Sequence, residues 1–220
     1  DSHTAMSSTW DRSGGNGDGT DFKNIVQPTA DVPGRNILLD CPGPGCIHRI
    51  FSGVLAPQQA GTRIQVFLDH NPQPTFDMPM LEFLSDAHGP FPYPLVFHKS
   101  YPGTLFPIPF EKHCLIQLVN DQFGKPDWNA EAWGNYWQVV YTRYTGDVRV
   151  KSLAWPPSDA ERAEIESTAQ AWLTAESQPP ATPAQWTIDT ARALAPGESM
   201  RIALTDAGVP ASWVDARLVL

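Results

Sequence analysis

The chain has 220 residues, of which 41% are hydrophobic and eight are tryptophan, so it can bury a sizeable core. Its 24 acidic and 15 basic residues give a formal net charge of −9, and no stretch is strongly basic. This balance argues against nucleic acid or an anionic membrane as a partner. No run of about 18 apolar residues occurs, which argues against a membrane-spanning helix.

The first feature along the chain is a polar segment from Trp10 to Asp21 that contains four glycines. Glycine permits positive φ and close backbone approach, and short carboxylates, amides and a guanidinium suit sugar hydroxyls or a cation. A solvated turn or part of an N-terminal tail is the alternative. A calcium loop of the EF-hand type is excluded, because Gly14 and Ile25 would stand where that loop needs carboxylates.

Short apolar runs between turn residues come next, and with 22 prolines and 16 glycines they predict an all-β sandwich or barrel, of which the jelly-roll sandwich is the expected fold. The long connection over residues 71–99 favours a jelly roll over a meander. Alternation in the second strand would place Cys46, His48 and Ile50 on one face and the residues between them on the other. The predicted strands are Asn36–Asp40, Cys46–Phe51, Thr62–Leu68, Thr104–Phe110 (interrupted by two prolines), Cys114–Val119 and Tyr136–Tyr144, with residues 148–153 expected to continue the sheet.

Cysteine and histidine usage predicts neither a disulfide framework nor a cofactor. Cys41 and Cys46 flank a predicted Pro-Gly-Pro-Gly turn, where a local disulfide is one alternative, and Cys114 fits a buried thiol. The histidines lack metal-ligand spacing, so no metal site is predicted. Asp69–His70, at a strand end, is either a binding pair or a satisfied strand terminus.

Tryptophans cluster ahead of the last predicted strand of this sheet. Trp128, Trp133 and Trp137 suit either a sugar platform or core and interface packing, and packing is favoured.

Beyond Trp155 the pattern changes from strand to helix. Ser158 and Glu161 form a capping-box signature, and the spacing after them predicts a helix over about 159–176 that ends before Pro179. Short strands return after residue 185. Because the sequence closes on three apolar residues at 218–220, we expect the chain to continue into a second β domain.

Several segments, in this order, resemble glycoside hydrolase family 172. They are Ser8–Asn16, Leu39–Ile50, Ile64–Asp69, Phe106–Cys114 and Tyr136–Tyr144. The resemblance implies two jelly rolls in tandem. It divides the chain into a tag remnant or arm (1–7), the first jelly roll (8–155), a helix and proline-rich linker (156–185) and the first strands of a truncated second jelly roll (186–220).

The resemblance further implies an exo-acting, retaining hydrolase of furanosides, with D-arabinofuranosyl or fructofuranosyl linkages, assembled as trimers or hexamers. The catalytic glutamates are expected beyond Leu220, since the glutamates present match no family motif. The alternative is a non-catalytic jelly roll that binds carbohydrate or assembles. No signal peptide is visible, but the first six residues resemble a vector remnant, so the compartment stays open.

With the resemblance, the polar segment is expected to bind the furanose, or else to build a subunit contact beside the site. Trp10 would stack on a sugar, Asp11, Asn16 and Asp18 would contact its hydroxyls, and Arg12 would orient a carboxylate. The competing interpretation is that Asp11 and Arg12 only pair with each other to shape the loop.

Overall fold

The computed structural model describes residues 2–15, 35–53, 61–97, 102–121 and 136–177, which lie within one compact unit, Asp1–Glu176, apart from the last helical residue. These residues form ten strands and two helices. The strands are β1 Ser2–Ser8, β2 Arg35–Pro42, β3 Gly45–Ser52, β4 Arg63–Leu68, β5 Phe76–Pro79, β6 Val96–Phe97, β7 Gly103–Thr104, β8 Ile108–Phe110, β9 His113–Val119 and β10 Trp137–Tyr144. The helices are α1 Met80–Phe83 and α2 Asp159–Ser177.

The strands form two antiparallel sheets. Sheet 1 has the order β1-β10-β3-β7-β6, with β8 also paired to β3, and sheet 2 has the order β2-β9-β4-β5. The first strand pairs with the last and the second with the one before it, while the chain crosses between sheets at the turn from β2 to β3. This winding is that of a jelly roll, so the predicted all-β sandwich is confirmed.

Alternation along β4 follows the sequence pattern, but a bulge breaks it in β3. The pairing with β10 passes from Arg49 opposite Val140 directly to Ile47 opposite Tyr141, which leaves His48 as an extra residue. Ile47 and Ile50 are consequently both fully buried. The prediction that these two side chains lie on opposite faces was therefore wrong.

The N-terminal residues belong to sheet 1. Ser2–Ser8 pairs with β10 along its whole length and forms an edge strand, rather than an arm beside the sandwich.

Residues 148–153 were wrongly predicted as a strand. They have no sheet pairing, Val148 is exposed, and Leu153 N donates to Pro109 O at 2.9 Å.

Helix α2 begins where the capping box predicts. Ser158 N donates to Glu161 Oε2 at 2.9 Å, and Glu161 N donates to Ser158 Oγ at 3.3 Å. Ala169 is buried and Ile165 packs against the core, but Trp172 stays 45% exposed. The helix therefore covers the sandwich with part of its apolar side. The strands predicted after residue 185 lie outside the described residues.

Candidate functional site

The polar segment starts at the end of sheet 1 where β1 stops and β10 begins. Thr9 N donates to Trp137 O at 3.1 Å, and Trp137 N donates to Thr9 Oγ1 at 3.0 Å. These two bonds join residues that are 128 positions apart and extend the strand pairing by one step. The segment is thus attached to a rigid base immediately before Trp10.

Asp11 shapes the turn that follows. Its Oδ1 accepts hydrogen bonds from Ser13 N at 2.9 Å and from Ser13 Oγ at 2.7 Å. Gly14 N donates to Asp11 O at 3.3 Å, and Gly14 has a φ of 78°, which a residue with a side chain rarely adopts. A short carboxylate and a glycine at these positions therefore fold the loop locally.

Arg12 folds back over its own strand end. Its Nη1 donates to Trp10 O and its Nη2 donates to Ser8 O, both at 3.2 Å. The guanidinium carbon lies 5.2 Å from the centre of the Trp10 ring, within the range of a cation–π contact. Arg12 therefore holds Trp10 in place from one side, a role that the sequence did not suggest.

Beside this turn lies a shallow depression of about 80 Å³. Two aromatic side chains on its wall are half exposed, Trp10 at 50% and Tyr136 at 48%. Its full lining is Ser8, Thr9, Trp10, Tyr136, Trp137 and Gln138. Half-exposed rings beside polar side chains are suited to a ligand with both apolar C–H faces and hydroxyl edges.

Comparison with known families identifies the domain. The sequence model of the GH172 first beta-sandwich domain matches residues 1–163. The chain belongs to glycoside hydrolase family 172 (GH172). No curated protein matches the chain. The matched GH172 domain includes both sheets, the polar turn and the depression.

The structure brings together three of the five residues predicted to bind substrate in this GH172 domain. Trp10, Asp11 and Arg12 lie in one turn, and Trp10 faces the depression. Asn16 and Asp18 lie outside the described residues.

The tryptophan platform suggested by the sequence did not include Tyr136, the exposed aromatic residue that lines the depression. Trp137 is 2% exposed and belongs to the core, and Trp128 and Trp133 lie outside the described residues. Tyr136 was missed, although alternation along its strand places it on the face opposite Trp137.

The opposite end of the GH172 sandwich is held by Asp69. Asp69 and His70 both have positive φ, 58° and 60°, in the turn after β4. The Asp69 carboxylate accepts hydrogen bonds from Lys112 N at 2.6 Å, from His113 N at 3.4 Å and from the Ser152 hydroxyl.

These bonds govern the charge of Asp69. Partial burial opposes its ionisation, but the Ser152 hydroxyl and the backbone amides outweigh burial, so the pKa of Asp69 is lowered. The Asp69 carboxylate thus serves as a satisfied strand terminus, which was one of the two interpretations of the Asp69–His70 pair.

Two histidines and a carboxylate adjoin that turn. The His70 ring stacks on His113 with centroids 4.2 Å apart, and His113 Nε2 lies 2.7 Å from Asp40 Oδ1. Within the described parts of the chain, no group of three or more His, Cys, Asp or Glu side chains has metal-binding geometry, and no helix could span a membrane.

The three cysteines are buried free thiols, so the local Cys41–Cys46 disulfide does not form. Cys41 instead lies opposite Cys114 in the pairing of β2 with β9. Burial raises the pKa of Cys46 to about 11, which keeps this thiol protonated and unreactive near neutral pH.

A larger cavity of about 280 Å³ lies where α2 begins against the sandwich. Its lining is mostly apolar and includes Leu95, Phe106 and Ile165. Glu161 also lines it, but this carboxylate already accepts hydrogen bonds from the backbone and hydroxyl of Ser158. Glu164 and Thr168 are its other polar lining residues, and the remaining eight are apolar. The smaller depression, which adjoins the predicted binding residues, is therefore the better candidate site.

Proposed function

We propose that the protein is a retaining, exo-acting glycoside hydrolase of furanosides, with D-arabinofuranosyl or fructofuranosyl linkages as substrates. The observation that carries the proposal is the GH172 match over residues 1–163. The depression beside Trp10 supports it, because its aromatic and polar lining residues suit the C–H faces and hydroxyl edges of a sugar ring.

Retention of configuration requires two carboxyl groups about 5 Å apart, one as nucleophile and one as acid and base. We propose that both are glutamates beyond Leu220. The first β-sandwich domain would contribute substrate binding instead. It would hold the terminal sugar so that its anomeric carbon meets the nucleophile, and such positioning supplies a large part of the rate enhancement.

Each residue of the polar segment has a distinct part in this proposal. The Trp10 ring would stack on the C–H face of the sugar, and Arg12 would keep that ring oriented. Asp11, Asn16 and Asp18 would contact ring hydroxyls. Self-association as a trimer or hexamer is part of the same proposal, and light scattering of the purified protein measures it directly.

Nitrophenol release tests the activity. The full-length protein is incubated with nitrophenyl α- and β-furanosides of D-arabinose and of fructose, and with the matching pyranosides as controls. We expect release from one furanoside anomer. Equal inertness toward all the furanosides would contradict the proposal. Asp18→Ala should lower kcat/KM on the active substrate, and an unchanged value would remove Asp18 from the binding site.

A second candidate function is a non-catalytic jelly roll that binds carbohydrate or assembles. The half-exposed Trp10 and Tyr136 side chains favour it, because they offer a binding surface that needs no catalytic pair. Calorimetric titration with a furanosyl oligosaccharide discriminates the two. Binding without any release of sugar supports the second candidate, whereas binding with hydrolysis supports the first.

A further inference from the structure

The strand register identifies the residue that lies opposite Trp10. Ser8 pairs with Gln138 at the end of β1, and hydrogen bonds join Thr9 to Trp137 in the next step. One further step places Trp10 opposite Tyr136. Directly opposed residues of an antiparallel pair project to the same face, with Cβ atoms about 5 Å apart.

Burial supports this register. Thr9 and Trp137, the opposed pair next to Trp10 and Tyr136, are each 2% exposed and point into the sandwich, as alternation along the strands requires. Trp10 and Tyr136 are about half exposed and belong to the outer row. Both side chains therefore belong to the outer face of sheet 1, at its end, where they line the same depression.

Strand β3 flanks Tyr136 on the side away from Trp10. Gly53 N donates to Tyr136 O at 2.8 Å, so Gly53 continues the row across the end of β3. A Cβ atom added to Gly53 would lie 2.6 Å from the Cβ of Tyr136. The missing side chain at position 53 therefore leaves the space against the strand backbone that the Tyr136 side chain occupies.

Arg12 makes the two faces of the Trp10 ring unequal. Its guanidinium lies over the ring and is tied to the Trp10 and Ser8 carbonyl oxygens. A ligand that stacks on Trp10 must use the ring face that Arg12 leaves open. Gln138, in the adjacent outer row, adds a side-chain amide to the lining of the same depression.

We propose that Trp10 and Tyr136 form a two-ring platform on which the terminal sugar ring of a glycan stacks through its C–H face, with the Gln138 amide at its hydroxyl edge. The choice of a furanoside as that sugar rests on the function proposed above. The inference assigns binding residues on β10 and at its start, outside the Trp10–Asp21 segment and outside the expected catalytic half.

Alanine variants of both rings test the platform, because the chain offers a matched control for each. Trp172 is 45% exposed and Tyr93 is 47% exposed, and neither lines the depression. In the full-length protein, Trp10→Ala and Tyr136→Ala should each raise KM for the active nitrophenyl furanoside about tenfold. Trp172→Ala and Tyr93→Ala should leave KM within twofold of the parent protein.

Conservative variants keep the test decisive if an alanine variant unfolds. Tyr136→Phe retains the ring and should keep KM within twofold, whereas Tyr136→Leu retains bulk without the ring and should behave like Tyr136→Ala. Circular dichroism confirms that each variant is folded. A KM for Tyr136→Leu equal to that of Tyr136→Phe would overturn the platform.

Direct binding separates this inference from the proposed activity. A D-arabinofuranosyl oligosaccharide is titrated into the parent protein, Trp10→Ala and Tyr136→Ala by calorimetry. Binding that both variants weaken supports the platform even if no furanoside is hydrolysed, a result that would sink the proposed activity alone. Hydrolysis with unchanged KM and binding in both variants would overturn the platform and leave the activity standing.

Discussion

The two ends of the sandwich are built by different kinds of contact. At the Asp69 end, side-chain hydrogen bonds join residues far apart in sequence, with separations of 43 between Asp69 and Lys112 and 83 between Asp69 and Ser152. At the Trp10 end, the long-range bond from Trp137 N to Thr9 Oγ1 anchors the strand, and the turn beyond it is shaped by bonds from the side chains of Asp11 and Arg12 to residues two to four positions away. The first end connects strands of the fold, and the second shapes a loop on a finished scaffold.

This difference separates stability from binding. Long-range bonds to a partly buried carboxylate hold several elements together, so their loss should be felt by the whole domain. Local bonds in an exposed turn leave the core unchanged when they are lost, but they orient the groups that a ligand meets. Substitutions at the Asp69 end should therefore lower the free energy of unfolding and leave sugar binding unchanged. Substitutions in the Trp10 turn should weaken sugar binding and leave the free energy of unfolding nearly unchanged.

Replacement of Asp69 should give the largest effect. Asp69→Ala leaves the Lys112 and His113 amides and the Ser152 hydroxyl without their acceptor, and should lower the free energy of unfolding by about 2 kcal/mol. Denaturant unfolding measures this, with the exposed Asp147→Ala as the control. A loss no larger than that of the control would show that the Asp69 end is not the stabilising one.

Titration of the same carboxylate gives a second test. Because the folded pKa of Asp69 is lowered, its contribution is fully present above its unfolded pKa of about 3.9 and is lost as pH falls through the folded value. The difference in unfolding free energy between the parent protein and Asp69→Asn should therefore be constant from pH 7 to 5 and shrink below about pH 4. A pH-independent difference would mean that Asp69 acts through shape rather than charge.

The sequence predicts features that depend on neighbouring residues better than features that depend on contacts between distant residues. The alternating Ile64, Val66 and Leu68 of β4 are all buried as predicted, and Ser158 and Glu161 cap α2 as their spacing indicates. These features depend on neighbours within a few residues, which a single sequence displays directly.

Features that depend on pairing across the chain were missed. The extra residue His48 shifts the faces of β3, and its position is fixed only by the register with β10. Tyr136 joins the candidate site because β1 pairs with β10 more than 120 residues away. Composition and periodicity carry no information about which strands meet, so neither the bulge nor the ring pair could be read from the sequence.

A substitution at Gly53 should lower both the stability of the domain and its affinity for sugar at the Trp10 end. Gly53→Ala brings a methyl group against Tyr136, and should cost about 1 kcal/mol of unfolding free energy. Because Tyr136 must move to relieve the contact, affinity for the furanosyl oligosaccharide should also fall. Lost stability with unchanged affinity would show that the position of Tyr136 does not matter for binding.

The smallest effect on stability should come from Asp11, and it sharpens the contrast with Asp69. Asp11→Asn keeps a side-chain oxygen that can accept the hydrogen bonds from Ser13 N and Oγ, so the turn should persist and the unfolding free energy should change by less than about 0.5 kcal/mol. If the Asp11 charge contacts a sugar hydroxyl, kcat/KM on the active furanoside should nevertheless fall severalfold, since a hydrogen bond to a charged group is stronger than one to a neutral group. If kcat/KM and stability both stay unchanged, Asp11 only shapes the loop, and binding at this end falls to the aromatic rings.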